Sequence, residues 1–139
     1  MASFKIEFDK VILAEGGYVN DPDDAGGETY LGISRKNHPN ANMWKYIDEY
    51  KKQHSIKELN NILAKDERII SEIQHIYSYR YWDVFDLDNV PNQKIAHQIF
   101  DNAVNRGVVA ATRLAQHVMG MTVTGEITEE LIYNLKHYV

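Results

Sequence analysis

The chain has 139 residues, with 15 Lys+Arg against 20 Asp+Glu and no cysteine. That length suits one compact domain able to bury roughly 70% of its unfolded surface, and the missing cysteines exclude a disulfide framework, thiolate zinc sites and cysteine nucleophiles. The net charge of −5 argues against nonspecific nucleic-acid binding, and no apolar run approaches the roughly 20 residues of a membrane span.

The opening MASFKIEFDK alternates charge with apolar groups and lacks the hydrophobic core of a signal peptide. Phe4, Phe8, Val11 and Ile12 fall on one face of a helix, with Ser3 as its N-cap and Gly16-Gly17 as its stop after Glu15. Residues 16–29 read as an ordered loop, with Pro22 and four glycines, followed by the apolar piece Tyr30 to Ile33. A small hairpin is expected in the region 18–34. Met43, Trp44, Ile47 and Tyr50 form the inner stripe of a second helix. Ser55 with Glu58 three residues later has the pattern of a capping box ahead of Leu59, Ile62 and Leu63. Asp66 is a candidate cap for a helix carrying Ile69, Ile70, Ile73, Ile76 and Tyr77. That helix runs into an aromatic cluster of Tyr79, Tyr81, Trp82 and Phe85, in which Tyr81 and Trp82 read as core ahead of a sugar platform. Asp86 to Pro91 reads as a loop. Ile95, Ile99, Phe100, Ala103 and Val104 mark a helix that ends near Gly107. Val108, Ala111, Leu114, Ala115 and Val118 mark another, closed by Gly120. Thr128 caps a final one with Leu131, Ile132 and Leu135 inward. The fold class is therefore mostly α, expected as one domain.

The charge is unevenly placed. Residues 15–29, EGGYVNDPDDAGGET, hold five acids and no base, so the remainder is neutral, with fifteen of each. A calcium loop fits poorly. Asp21 and Asp23 match the first and third positions of an EF-hand, but Ala25 stands at the fifth and Gly32 at the twelfth, where a bidentate Glu is required. A glycosidase carboxylate pair fits better. Glu15 closes a helix, where the negative end of the dipole and the neighbouring acids both favour its neutral form, as a general acid requires. A second carboxylate in the loop would stay ionised and act as base or charge stabiliser. The residue types leave Asp21, Asp23 and Asp24 as alternatives for it. The six histidines show no metal-ligand spacing, and no metal or organic cofactor is expected.

EGGYVNDPDDAGGETYLGIS resembles the signature of glycoside hydrolase family 108, the N-acetylmuramidase domain of phage and bacterial endolysins. That pattern runs roughly E-G-G-[YF], then D-P-x-D-x-G-G-x-T, then G-I-[ST]. Further on, Tyr81-Trp82-Asp83 is similar to the family's YWD, and residues 101–107, DNAVNRG, to its D-x-A-V-N-x-G. The resemblance implies a lysozyme-like domain with its cleft between loop 16–34 and the later helices. It implies a peptidoglycan hydrolase that cleaves the β-1,4 bond between N-acetylmuramic acid and N-acetylglucosamine and so lyses bacterial cell walls.

The phage-type lysozyme pattern of Glu, eight residues, Asp, five residues, Thr selects Glu15 as acid, Asp24 as base and Thr29 as water-orienting hydroxyl. The second spacing is one residue shorter here. An inverting outcome follows by the same analogy. Tyr18, Asn102 and Asn105 become candidate substrate contacts, with Tyr18 also a candidate core ring and the asparagines candidate backbone braces. Residues 1–106 would form the catalytic part. Residues 107–139 would form a partial peptidoglycan-binding-like region, in which Val123 to Thr128 lacks the Asp and second Gly of the D-G-x-I-G turn. The implied partner is bacterial peptidoglycan, with no nucleic acid and no membrane insertion, and the protein is expected to be a monomer. It would accumulate in the bacterial cytoplasm until a holin or other export route releases it. The competing expectation is a non-catalytic peptidoglycan-binding or secretion-assisting protein on the same fold.

Overall fold

A computed structural model of the chain describes residues 1–23 and 25–139. Among these residues it is mostly α, with seven α-helices and one three-stranded antiparallel sheet. The chain forms two compact units, residues 12–76 and residues 1–11 with 77–139. It passes from one to the other within α1 (Phe4–Ala14) and returns at the end of α4 (Glu67–Tyr77).

In the unit of residues 12–76, the expected hairpin is a sheet of β1 (Val19–Asn20), β2 (Glu28–Tyr30) and β3 (Ile33–Ser34), in that order. Leu31 and Gly32 both have positive φ, 47° and 83°, which makes the β2–β3 connection a two-residue turn of the kind that matches strand twist. That turn sets the register Tyr30↔Ile33 and Thr29↔Ser34, with Tyr30 and Ile33 buried. The helices follow as α2 (Met43–Gln53), α3 (Ile56–Leu63) and α4, and they bury Met43, Trp44, Ile47, Leu59, Leu63, Ile69 and Ile73. Each such side chain contributes about 1.5–3 kcal/mol over its exposed state.

Two local expectations are met differently. Neither half of the capping box forms on α3: Ser55 makes no side-chain cap, and the Glu58 carboxylate lies 3.3 Å from His54 Nδ1. The N-terminus of α2 is capped from afar, by the Glu72 carboxylate accepting from the Asn42 and Met43 N–H groups at 2.9 and 2.5 Å. Asp66 does cap α4 through the Arg68 N–H, at 3.0 Å. It also accepts from the Arg68 guanidinium at 2.7 Å and the Tyr50 hydroxyl at 2.7 Å, and these hydrogen bonds hold its carboxyl well below the usual range.

In the other unit, aromatic rings form the core. Phe4 meets Phe8, Trp82 and Phe100 at centroid distances of 5.5, 5.5 and 5.7 Å, and Phe8 meets Tyr77 at 5.9 Å. Such edge-to-face and offset pairs add about 0.5–1.5 kcal/mol beyond area burial. Trp82 is therefore core, as the sequence indicated, and so is Phe85; Trp82 donates its indole N–H to Asp88 at 2.8 Å. The stretch read as a loop from Asp86 to Pro91 contains a 3-10 turn, Leu87–Asn89, which buries Leu87. Asn92 caps α5 (Gln93–Arg106), and α6 (Val108–Val118) starts beyond Gly107. Thr128 caps α7 (Glu129–Lys136) by accepting from the Leu131 N–H at 3.1 Å.

Two buried polar residues hold distant segments of this unit. Glu7, 1% exposed, accepts from the Gln93 amide at 2.6 Å and lies 2.5 Å from His97 Nδ1. Gln116, also 1% exposed, accepts from the Thr124 and Gly125 N–H groups and donates to Thr124 Oγ1 and the Glu126 carbonyl.

Candidate active site

α1 ends at Ala14, and Glu15 follows it at once, half-buried in the bend that leads to β1. The carbonyls of the last helical turn have no partners further along the helix, so their negative end lies beside this carboxyl group. Glu15 forms no hydrogen bond or ion pair with another described residue. The turn behind it is tight. A Cβ on Gly17 would stand 2.3 Å from Asn60 Oδ1, the atom that accepts the Tyr18 N–H at 2.8 Å. Only a residue without a side chain allows Asn60 to hold the backbone there.

β2 presents different side chains on its two faces, because side chains alternate along a strand. Glu28 and Tyr30 lie on one face and Thr29 on the other. Glu28 is the centre of a charged network. It accepts from the Tyr18 hydroxyl in a short hydrogen bond, from Arg35 at 2.9 Å and from Lys51 at 3.0 Å. Arg35 in turn holds Asp48 through two hydrogen bonds, of 2.8 and 2.7 Å. Burial pushes the Glu28 carboxyl up, but the hydrogen bonds from Tyr18, Arg35 and Lys51 outweigh it and leave the group below its ordinary value. The Arg35 hydrogen bonds lower Asp48 as well. Burial and then the Glu28 hydrogen bond raise the Tyr18 phenol. So one of the five acids of residues 15–29 is already neutralised by two bases from outside that segment.

Sequence reasoning assigned Glu28 no role and missed Arg35, Asp48 and Lys51. The signal was present for one pair. With Thr29 opposite Ser34, Glu28 lies opposite Arg35, and the Arg35 N–H donates to the Glu28 carbonyl at 2.9 Å. Opposite charges facing across a ladder follow from the two-residue turn once it is recognised.

Of the residues singled out earlier, Glu15, Tyr18 and Thr29 belong to the unit of residues 12–76. Tyr18 is buried, at 8% exposure, with the Lys51 ammonium 5.5 Å from its ring centroid. Thr29 is half-buried in the middle strand, and its hydroxyl forms no hydrogen bond to another described residue. Asp24 lies outside the described residues. Asp21 accepts the Asp23 N–H at 2.9 Å, a local turn that leaves both side chains exposed. Asn102 and Asn105 sit on α5 in the other unit. Their amides donate to the Gln98 and Asp101 carbonyls at 2.8 and 2.9 Å, one helical turn back. Among the described residues no three His, Asp or Glu gather in a group that could hold a metal ion, and no helix is long and apolar enough to cross a membrane.

A glutamate without a described partner at a helix end can serve as a general acid, the group that glycoside hydrolases require. The family follows from comparison. The model of glycosyl hydrolase 108 matches residues 8–107, and the chain belongs to that family. Membership implies a glycoside hydrolase with peptidoglycan as its substrate. The match ends at Gly107, between α5 and α6. The structure is also similar to that of Brucella abortus SagA, with a TM-score of 0.63 and 25% sequence identity, covering 98% of this chain and 70% of that one. No curated protein gives a significant match.

Proposed function

We propose that the protein is an N-acetylmuramidase that cleaves the β-1,4 bond between N-acetylmuramic acid and N-acetylglucosamine in peptidoglycan. Glu15 gives its proton to the glycosidic oxygen as the bond to the anomeric carbon breaks. Asp24 takes a proton from the water that attacks that carbon, and Thr29 orients the water. The assignment of Asp24 rests on the family's spacing pattern. Asn102 and Asn105 contact substrate amides through their side-chain oxygens, which remain acceptors while the amides brace α5. Tyr18 acts through Glu28, holding the strand that carries Thr29. On this reading residues 1–106 are the catalytic part and 107–139 a wall-associated helical region. The enzyme, working as a monomer, reaches the wall through a holin or another export route.

The observation that carries the reading is the state of Glu15. It lies in the segment matched by the family, at the negative end of a helix, and no described residue holds its carboxyl group. Glu28, at the far end of the same acidic segment, is held by three partners, and Asp21 and Asp23 are exposed to solvent. The test is Glu15→Gln in a peptidoglycan turbidity assay. The variant is expected to keep the wild-type unfolding midpoint and lose clearance by at least about a hundredfold, the usual weight of a general acid. Clearance at the wild-type rate would refute the acid assignment. Mass spectrometry of wild-type digests is expected to show muramic acid at the new reducing end, and glucosamine there would make the enzyme a glucosaminidase.

A further inference from the structure

α4 does not end in an ordinary cap but widens into a π turn, Ser78–Trp82, followed by a 3-10 turn, Asp83–Phe85. π turns are rare and concentrate at functional sites, because they place side chains where a regular helix would not. Here Tyr77, Trp82 and Phe85 go into the core, whereas Tyr79, Arg80, Asp83 and Val84 stay outside. Tyr79 is 66% exposed, its ring standing outside the packed aromatic core. With Val108, the first residue of α6, these four line a groove of about 460 Å³. That volume lies within the roughly 300–1,000 Å³ of small-ligand sites.

We propose that this groove is a saccharide subsite that takes an N-acetylated amino sugar. The choice of ligand rests on the peptidoglycan reading above. The chemistry of the walls supports it independently. The face of Tyr79 offers a platform for the C–H face of a pyranose ring, since the ring's negative face attracts weakly positive C–H groups. Asp83 accepts from sugar hydroxyls, and its carboxylate is oriented by the Ser78 hydroxyl at 3.1 Å. Arg80, its guanidinium 5.8 Å from the Tyr81 ring centroid, donates to the acetamido carbonyl. Val84 and Val108 receive the acetyl methyl group. The opposite charges of Arg80 and Asp83 cancel, so the groove suits a neutral ligand rich in donors and acceptors rather than an ion. Polar heads set among apolar walls fix orientation while stacking supplies affinity.

The probe is tetra-N-acetylchitotetraose, titrated into the isotope-labelled full chain and followed by amide chemical shifts. The expected result is saturable shifts at residues 79–84 and 108. Tyr79→Ala should weaken binding about tenfold, the loss of one stacked ring. Tyr79→Phe should bind within twofold of wild type. An exposed ring can be removed without unfolding the chain, and an unchanged thermal midpoint checks this. Absence of binding, shifts confined to other residues, or equal affinity in Tyr79→Ala would each overturn the proposal. Glu15→Gln separates the two readings, since it should bind the tetrasaccharide like wild type while failing to clear peptidoglycan. If Glu15→Gln clears walls normally and Tyr79→Ala loses binding, the acid assignment falls and the subsite stands. If Tyr79→Ala binds normally and Glu15→Gln is inactive, the reverse holds.

Discussion

Gly17→Ala tests how the turn behind Glu15 is held. The added methyl would stand 2.3 Å from Asn60 Oδ1 and 2.7 Å from its Cγ. Asn60 is an exposed side chain and can swing away, so the cost is not backbone strain. It is the loss of the 2.8 Å hydrogen bond from the Tyr18 N–H. A net loss of about 0.5–1.5 kcal/mol follows for the bond, rising toward 3 if the N–H finds no water. Stiffening of the unfolded chain by alanine returns about 0.4–1 kcal/mol. The balance is a destabilisation of a few tenths of a kcal/mol where water takes the N–H and of about 2 kcal/mol where none does, which in a chain of this size lowers the midpoint by about 1 °C and about 6–10 °C respectively. Activity should fall further than stability, because Glu15 is two residues away and misplacement of an acid by 1 Å is expensive in rate.

A double-mutant cycle with Asn60→Gly isolates the mechanism. Asn60→Gly removes both the clash and the bond, so adding Gly17→Ala to it should cost nothing more. Urea unfolding and peptidoglycan clearance measure the two quantities. Strictly additive losses, or a Gly17→Ala variant with wild-type stability and rate, would show that Asn60 does not hold this turn.

The other expectations are as follows. Glu28 has a lowered carboxyl in the folded state, so the unfolded chain binds more protons below about pH 4.3, and the stability from this network is present above that pH and lost as pH falls through the folded value. Glu28→Gln should therefore flatten the acid limb of stability between about pH 5 and 3, at a cost near pH 7 of about 1 kcal/mol, since Arg35 and Lys51 are partly exposed and screened; an unchanged acid limb in urea titrations refutes the network. Gln116→Leu keeps most of the volume but removes four hydrogen bonds to residues 124–126, so a loss of about 2–3 kcal/mol and faster hydrogen exchange at the Thr124 and Gly125 amides are expected. Unchanged exchange at those two amides would mean that Gln116 does not order the segment.

Several features of this chain are legible in its sequence. The helical faces of residues 43–50, 69–77, 95–104 and 108–118 follow from spacing, and the caps at Asp66 and Thr128 follow from residue type. Each depends on partners within about four residues. The placement of Glu15 directly after the first helix is of the same kind, since Gly16-Gly17 stops it locally. The family signature was legible because most of its residues lie in one contiguous block.

What only the tertiary structure decided involves partners distant in sequence. Nothing near Glu7 indicates that it is buried, because its partners Gln93 and His97 are about ninety residues away. Ser55 and Glu58 have the spacing of a capping box, yet His54 competes for the same carboxylate. The charge count made residues 15–29 a purely acidic segment, whereas folding brings Arg35 and Lys51 onto Glu28. Local patterns are written in sequence because backbone geometry fixes which near neighbours meet. Long-range pairs leave no such spacing, so packing alone shows that Glu28 is neutralised while Glu15, half-buried at the helix end, is not.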